Sequence, residues 1–118
     1  MELEELRIYQ ASITIAEEIW NIVIQWDYFS KETIGKQLVK AVDSVAANLS
    51  EGYGRFYYKE NKQFCYYSRG SLFETKTWLK KASVRKLLNE EEFERFSRTI
   101  KDIGVRLNNY INSVGRKY

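Results

Sequence analysis

The sequence predicts an all-α fold, an up-down-up-down four-helix bundle, and three observations carry that expectation. None of the 118 residues is proline, so nothing forbids long uninterrupted helices. Apolar residues recur at spacings of three and four over long stretches, as in helices packed side by side. No segment alternates as a half-buried strand does, and there is no internal repeat or low-complexity linker. The length suits one domain, residues 1–118, with a single core.

The N-terminal segment carries two apolar stripes. Leu6, Tyr9, Ile13, Ala16, Trp20 and Val23 form one seam; Ile8, Ser12, Ile15, Ile19, Ile22 and Trp26 form a second beside it. A helix apolar on two adjacent faces is either central in the bundle or part of a subunit interface. A second helix is expected after Ser30, a good N-cap, with Ile34, Leu38, Ala41, Val42, Val45 and Leu49 on its apolar face and its end near Gly52. A third is expected from about Lys59 to Lys81, with Phe64, Tyr67, Leu72, Trp78 and Leu79 along it. Gly70 and Ser71 in its middle are poor helix formers, which a close helix–helix approach would explain. A short connection over Ser83 to Leu88 leads into the clearest element, a helix over residues 90–114. There Phe93, Phe96, Ile100, Ile103, Leu107, Tyr110 and Val114 alternate spacings of three and four, and Asn89 with Glu92 marks a capping box.

Composition removes several function classes. Histidine is absent, and with it the commonest general base and the commonest metal ligand. Cys65 is the single cysteine, so no intrachain disulfide and no thiolate metal cluster is expected; it reads as a small buried hydrophobe. No catalytic residue, metal or cofactor is expected, and an enzyme would require carboxylates converging between subunits. The apolar runs are too short to span a bilayer, and the acidic start "MELEEL" is unlike a signal peptide. A cytoplasmic location without membrane contact follows as the expectation.

The net charge of +3 is unevenly spread. Residues 1–30 carry −5, residues 31–86 carry +7 and residues 87–118 carry +1. An anionic partner is therefore expected along the middle of the chain, and the bland alternative is a solvated, charge-paired face. The stretch "EGYGRFYY", Glu51 to Tyr58, sits inside it. It lacks the basic first position of an RNA-recognition strand, and a helical pattern precedes it where a strand is needed. It also lacks the Lys-Ser/Thr of a phosphate loop and the third glycine of a dinucleotide fingerprint. A helix stop accounts for it, with Gly52 at the left-handed C′ position and Gly54 helping to reverse the chain.

With that helix–turn–helix assignment, "DSVAANLSEGYGR" followed by "KENKQFCYYSRGSLFE" resembles the four-helix-bundle family encoded in intervening sequences of 23S ribosomal RNA genes, also called S23 ribosomal proteins. The matching residues are Ser44, Val45, Asn48, Leu49, Glu51, Gly52, Gly54 and Arg55, then Lys59, Glu60, Phe64, Gly70, Ser71, Leu72 and Glu74. The family is similar to the accessory variability determinant of diversity-generating retroelements. That relation implies a homo-oligomer, a pentamer, with RNA or DNA and a reverse transcriptase as partners. It implies no known reaction.

Ser44, Asn48 and Glu51 form one polar stripe of the second helix, expected to make an interhelical hydrogen-bond layer or a subunit contact. Glu74 is expected to pair with a cation on a neighbouring helix or subunit. Asp43 is read equally as such a pairing residue or as plain surface. Arg55, Lys59, Lys62 and Arg69, interleaved with tyrosines and Phe56, suit single-stranded nucleic acid, as do Lys80, Lys81, Arg85 and Lys86. Tyrosine with arginine is equally the composition of protein–protein contacts. Two functions follow: an oligomeric, non-enzymatic nucleic-acid-binding accessory protein, or an oligomeric scaffold whose partner is another protein.

Overall fold

The computed structural model describes residues 2–115, and among them four long helices and no strand. A 3-10 turn at Leu3–Glu5 precedes α1, Arg7–Val23. A helical turn at Tyr28–Ser30 and a π-helical turn at Lys31–Gly35 run directly into α2, Lys36–Tyr53. Helix α3 spans Tyr58–Val84 and α4 spans Glu90–Ser113. Each helix packs on its chain neighbours and α1 also packs on α4, closing the ring of an up-down-up-down bundle measuring 50 × 23 × 20 Å.

The periodicity of α4 translates directly into burial. Phe96, Ile100, Ile103 and Leu107 are core residues, and the Asn89–Glu92 capping box forms in both directions, at 2.7 and 2.9 Å. Only one of the two α1 stripes is fully used. Ile8, Ser12, Ile15 and Ile19 face the core, whereas Ile13 and Trp20 from the other stripe lie exposed, Trp20 at the α1–α2 edge.

Four boundary expectations are corrected. Asp27, not Ser30, caps the second helical segment: its carboxylate accepts from the Ser30 N–H at 2.8 Å and the Ser30 hydroxyl at 2.9 Å. The Ser30 N–H, then its hydroxyl, hold the Asp27 carboxyl below its ordinary value. Helix α3 continues beyond Lys81 to Val84. Gly52 is not a left-handed stop: it is buried inside α2, and Gly54 closes that helix with ordinary right-handed backbone, φ −80°. What Gly52 supplies is the absence of a side chain. An added Cβ would lie 2.7 Å from Asn61 Oδ1, 3.0 Å from the Asn61 carbonyl oxygen and 3.0 Å from Phe64 Cβ. The left-handed helix end belongs to Lys86 instead, φ 61°, where α3 stops in a Schellman motif. Its amide bonds to Ser83 O at 3.0 Å and the Leu87 amide to Ala82 O at 2.9 Å.

Gly70 is the fourth correction. It lies on the open face of α3, and an added Cβ there would meet nothing within 4 Å. The close approach expected at Gly70 occurs at Gly52, and a second one at Gly35, whose Cβ would lie 2.7 Å from Val23 Cγ1.

Candidate nucleic-acid interface

Helix α3 draws its inward residues from a narrow stripe, Cys65, Ser68, Leu72, Thr75 and Leu79, leaving the other positions of a 27-residue helix to solvent or to its two edges. That geometry decides where its cations stand. Between residues 58 and 86 there are eight basic and two acidic side chains. Lys62, Arg69 and Lys76 recur at intervals of seven, with Lys80 one turn further, so all four fall on one edge of the helix. At 1.5 Å per residue that row is about 27 Å long. The edge is the one facing α4, where Arg69 and Lys76 meet Lys101 across a shallow groove.

The expected binding residues do not form one patch. Arg55 is committed to the α2–α3 turn: its guanidinium meets Glu51 at 2.5 Å and Glu60 at 3.5 Å, and stacks 4.7 Å over Phe64. Lys59 is exposed and Lys62 half-buried, and neither is ion-paired among the described residues. Arg69 donates to Asn108 Oδ1 at 3.0 Å and stacks 4.9 Å over Tyr66, which orients it along the α4 side. Lys80 lies 5.8 Å from the Phe93 ring and Lys81 6.0 Å from the Trp78 ring. Arg85 and Lys86 are exposed on the α3–α4 connection, at the far end of the helix from Lys59.

The polar motif residues behave differently from the expected interhelical layer. Ser44 donates to Lys40 O at 2.8 Å and Asn48 to Ser44 O at 2.9 Å, both within α2, while Glu51 pairs with Arg55. Glu74 is exposed and accepts from Trp78 Nε1 at 3.4 Å on its own helix, not from a cation. Ser71 is half-buried, its carbonyl accepting from the Thr75 hydroxyl at 2.8 Å. The buried bond that joins α2 to α3 is Ser68 Oγ to Val45 O, 2.8 Å. Beside it Asn61 accepts from Cys65 Sγ at 3.6 Å and donates to Tyr110 Oη at 3.4 Å, tying α3 to α4 next to Gly52. Burial pushes the Cys65 thiol up to about 11 and raises the Tyr110 phenol, which the Asn61 bond partly offsets. Cys65 is thus an inert core residue, as its aromatic-rich surroundings suggested.

Ser68, Asn61, Lys76 and Lys101 were not singled out by sequence reasoning. The seven-residue spacing from Lys62 through Arg69 was a sufficient signal for Lys76. Nothing local pointed to Lys101, because only the packing of α4 on α3 brings it to the row. Among the described residues no cluster of three or more histidines, cysteines and carboxylates is placed to hold a metal ion, and no helix is long and apolar enough to cross a membrane.

The family of 23S rRNA-intervening sequence proteins matches residues 4–109, nearly the whole chain. The chain belongs to that family. Its fold is also that of a crystal structure of a protein of unknown function from the S23 ribosomal protein family of Bacteroides thetaiotaomicron. The two superpose with a TM-score of 0.80 at 18% sequence identity, over 90% of this chain and 99% of that one. No curated protein matches the chain in sequence.

Proposed function

We propose that this 23S rRNA-intervening sequence protein is a non-enzymatic nucleic-acid-binding accessory protein that acts as a homo-oligomer. The observation that carries the reading is the row Lys62, Arg69, Lys76 and Lys80 on one edge of α3, in a segment where eight cations face two carboxylates. Such a row neutralises successive phosphates and releases their counterions, whatever the base sequence. Tyr66, stacked under Arg69 in that row, and the exposed Phe56 and Tyr57 of the α2–α3 turn add stacking surfaces for unpaired bases, which favours single strands. Assembly into the pentamer that the family resemblance implies would repeat the row around a ring and multiply its affinity. A cytoplasmic setting, with ribosomal RNA or a retroelement reverse transcriptase as companion, completes the proposal.

Titration with single- and double-stranded RNA and DNA at two salt concentrations tests it. Binding should weaken steeply with salt, and each of Lys59→Ala, Lys62→Ala and Lys76→Ala should lower the log–log salt slope by about 1. Absence of binding at low salt would overturn the reading. Arg55→Ala is the wrong probe, because Arg55 holds the α2–α3 turn. Light scattering tests the pentamer, and the neighbouring genes test the reverse transcriptase.

A second reading, a protein scaffold, draws on the exposed apolar edge of α1, where Ile13, Trp20 and Ile24 are each more than 40% exposed. An oligomer that ignores nucleic acid at every salt concentration would favour it.

A further inference from the structure

The seam between α3 and α4 does not close. It leaves a groove of about 470 Å³ floored by the aliphatic side chains of Leu72, Leu79 and Ile100 and by Gly104, which lacks one. Phe73 and Val105 stand on its two rims, 63% and 56% exposed. The charged side chains that line it are Arg69, Lys76 and Lys101, with no carboxylate among them. We infer that this groove is a docking site for an acidic amphipathic helix of a partner protein.

Three features select that occupant. The α3 wall from Arg69 to Leu79 is about 15 Å long, three turns of an incoming helix. Arg69 and Lys76 are seven residues apart, so carboxylates seven apart on the partner would meet both, with its apolar face on the aliphatic floor. Arg69 is already oriented for this by Asn108 and Tyr66. Nucleic acid satisfies the cations and has the exposed Phe73 ring on one rim to stack on, but it leaves the aliphatic floor of Leu72, Leu79 and Ile100 unused, which an apolar helix face would cover. The apolar α1–α2 edge of a second copy is a poor fit, because Lys31, Lys36 and Lys40 outnumber the one carboxylate there, Glu32, and would on balance oppose the groove's own cations. The inference therefore goes beyond nucleic-acid binding and does not depend on it.

A synthetic helical peptide of about sixteen residues, roughly four and a half turns, tests the site. It carries leucines at i, i+3 and i+7 and glutamates seven apart, and a control carries lysine at the glutamate positions. Fluorescence anisotropy against the full-length protein should show salt-sensitive binding of the acidic peptide and none of the basic one. Lys76→Glu with Lys101→Glu should weaken binding by about tenfold or more, as loss of complementary charge and new repulsion do at other interfaces. Gly104→Leu should fill the groove and block the peptide while leaving oligouridylate binding unchanged. Val105→Glu, at an exposed rim position, should also weaken the acidic peptide should Gly104→Leu fail to fold, and its new carboxylate beside Arg69 and Lys76 should lower oligouridylate binding as well. Equal binding of both peptides, binding of neither, or peptide affinity unmoved by Gly104→Leu and Val105→Glu would overturn the inference. So would conversion of an oligomer to monomers by the Lys76→Glu, Lys101→Glu pair, which would assign the groove to a subunit contact.

Discussion

Helix α3 makes two seams of opposite character. Against α2 it packs without room: Gly52 leaves no space for a methyl group, Ser68 is fully buried on the Val45 carbonyl and Cys65 is sealed beside Asn61. Against α4 it leaves a groove, where a Cβ on Gly104 would sit at an ordinary 3.5 Å from Leu72 Cδ2, with cations along the edge. Glycine therefore means two things in one helix pair. At Gly52 it permits contact inside the chain; at Gly70 an added Cβ would meet none of the described residues within 4 Å, so the glycine only costs helix stability. The closed seam builds the fold and the open one presents surface, so the family motif, which runs across both, mixes structural and surface residues.

The largest expected effect breaks the closed seam. Gly52→Val should destabilise the protein by about 2–3 kcal/mol, because the Asn61 backbone oxygen cannot step aside as a flexible side-chain tip would. Denaturant melts would read the loss. Alkylation of Cys65, whose thiol at about 11 is unreactive near neutral pH while buried, should accelerate in parallel. A variant as stable as the parent would sink the close-contact account of Gly52.

Ser68→Ala tests the same seam more gently. Loss of the bond to Val45 O should cost about 1 kcal/mol by equilibrium unfolding, with the helical content unchanged. Gly70→Ala sharpens the contrast from the other side. Since nothing stands within 4 Å of its Cβ, it should gain about 0.5–1 kcal/mol in the same melts. A loss there would mean that another molecule covers Gly70.

The smallest effect concerns Asp43 on the outer face of α2. Burial, then the neighbouring Glu17 carboxylate, raises its carboxyl above its ordinary 3.8. The folded chain thus holds this proton where the unfolded chain has released it. The group favours the fold most below 3.8 and that contribution is lost as pH rises through the raised value. Asp43→Asn should flatten this part of the pH–stability curve and leave the protein slightly more stable at pH 7; an unchanged acid limb would count against it.

Helix number, order and the start of α4 were legible in the chain because they depend on local causes: the absence of proline, the three-four spacing and the Asn89–Glu92 box act within one helix. The bundle follows from burying those stripes together. The chain also displayed the excess of cations between residues 58 and 86. The roles of individual motif residues were not legible, because they depend on what stands opposite. Gly52 looked like a helix stop until Asn61 and Phe64 appeared against it, and Arg55 like a free cation until Glu51 and Glu60 closed on it. Which edge of α3 is sealed and which is open, and that Lys101 joins Arg69 and Lys76, are facts of helix pairing. Contacts between residues 25 or more apart in the chain, such as Lys76 with Lys101, leave no periodicity in a sequence, so only the packed structure decided them.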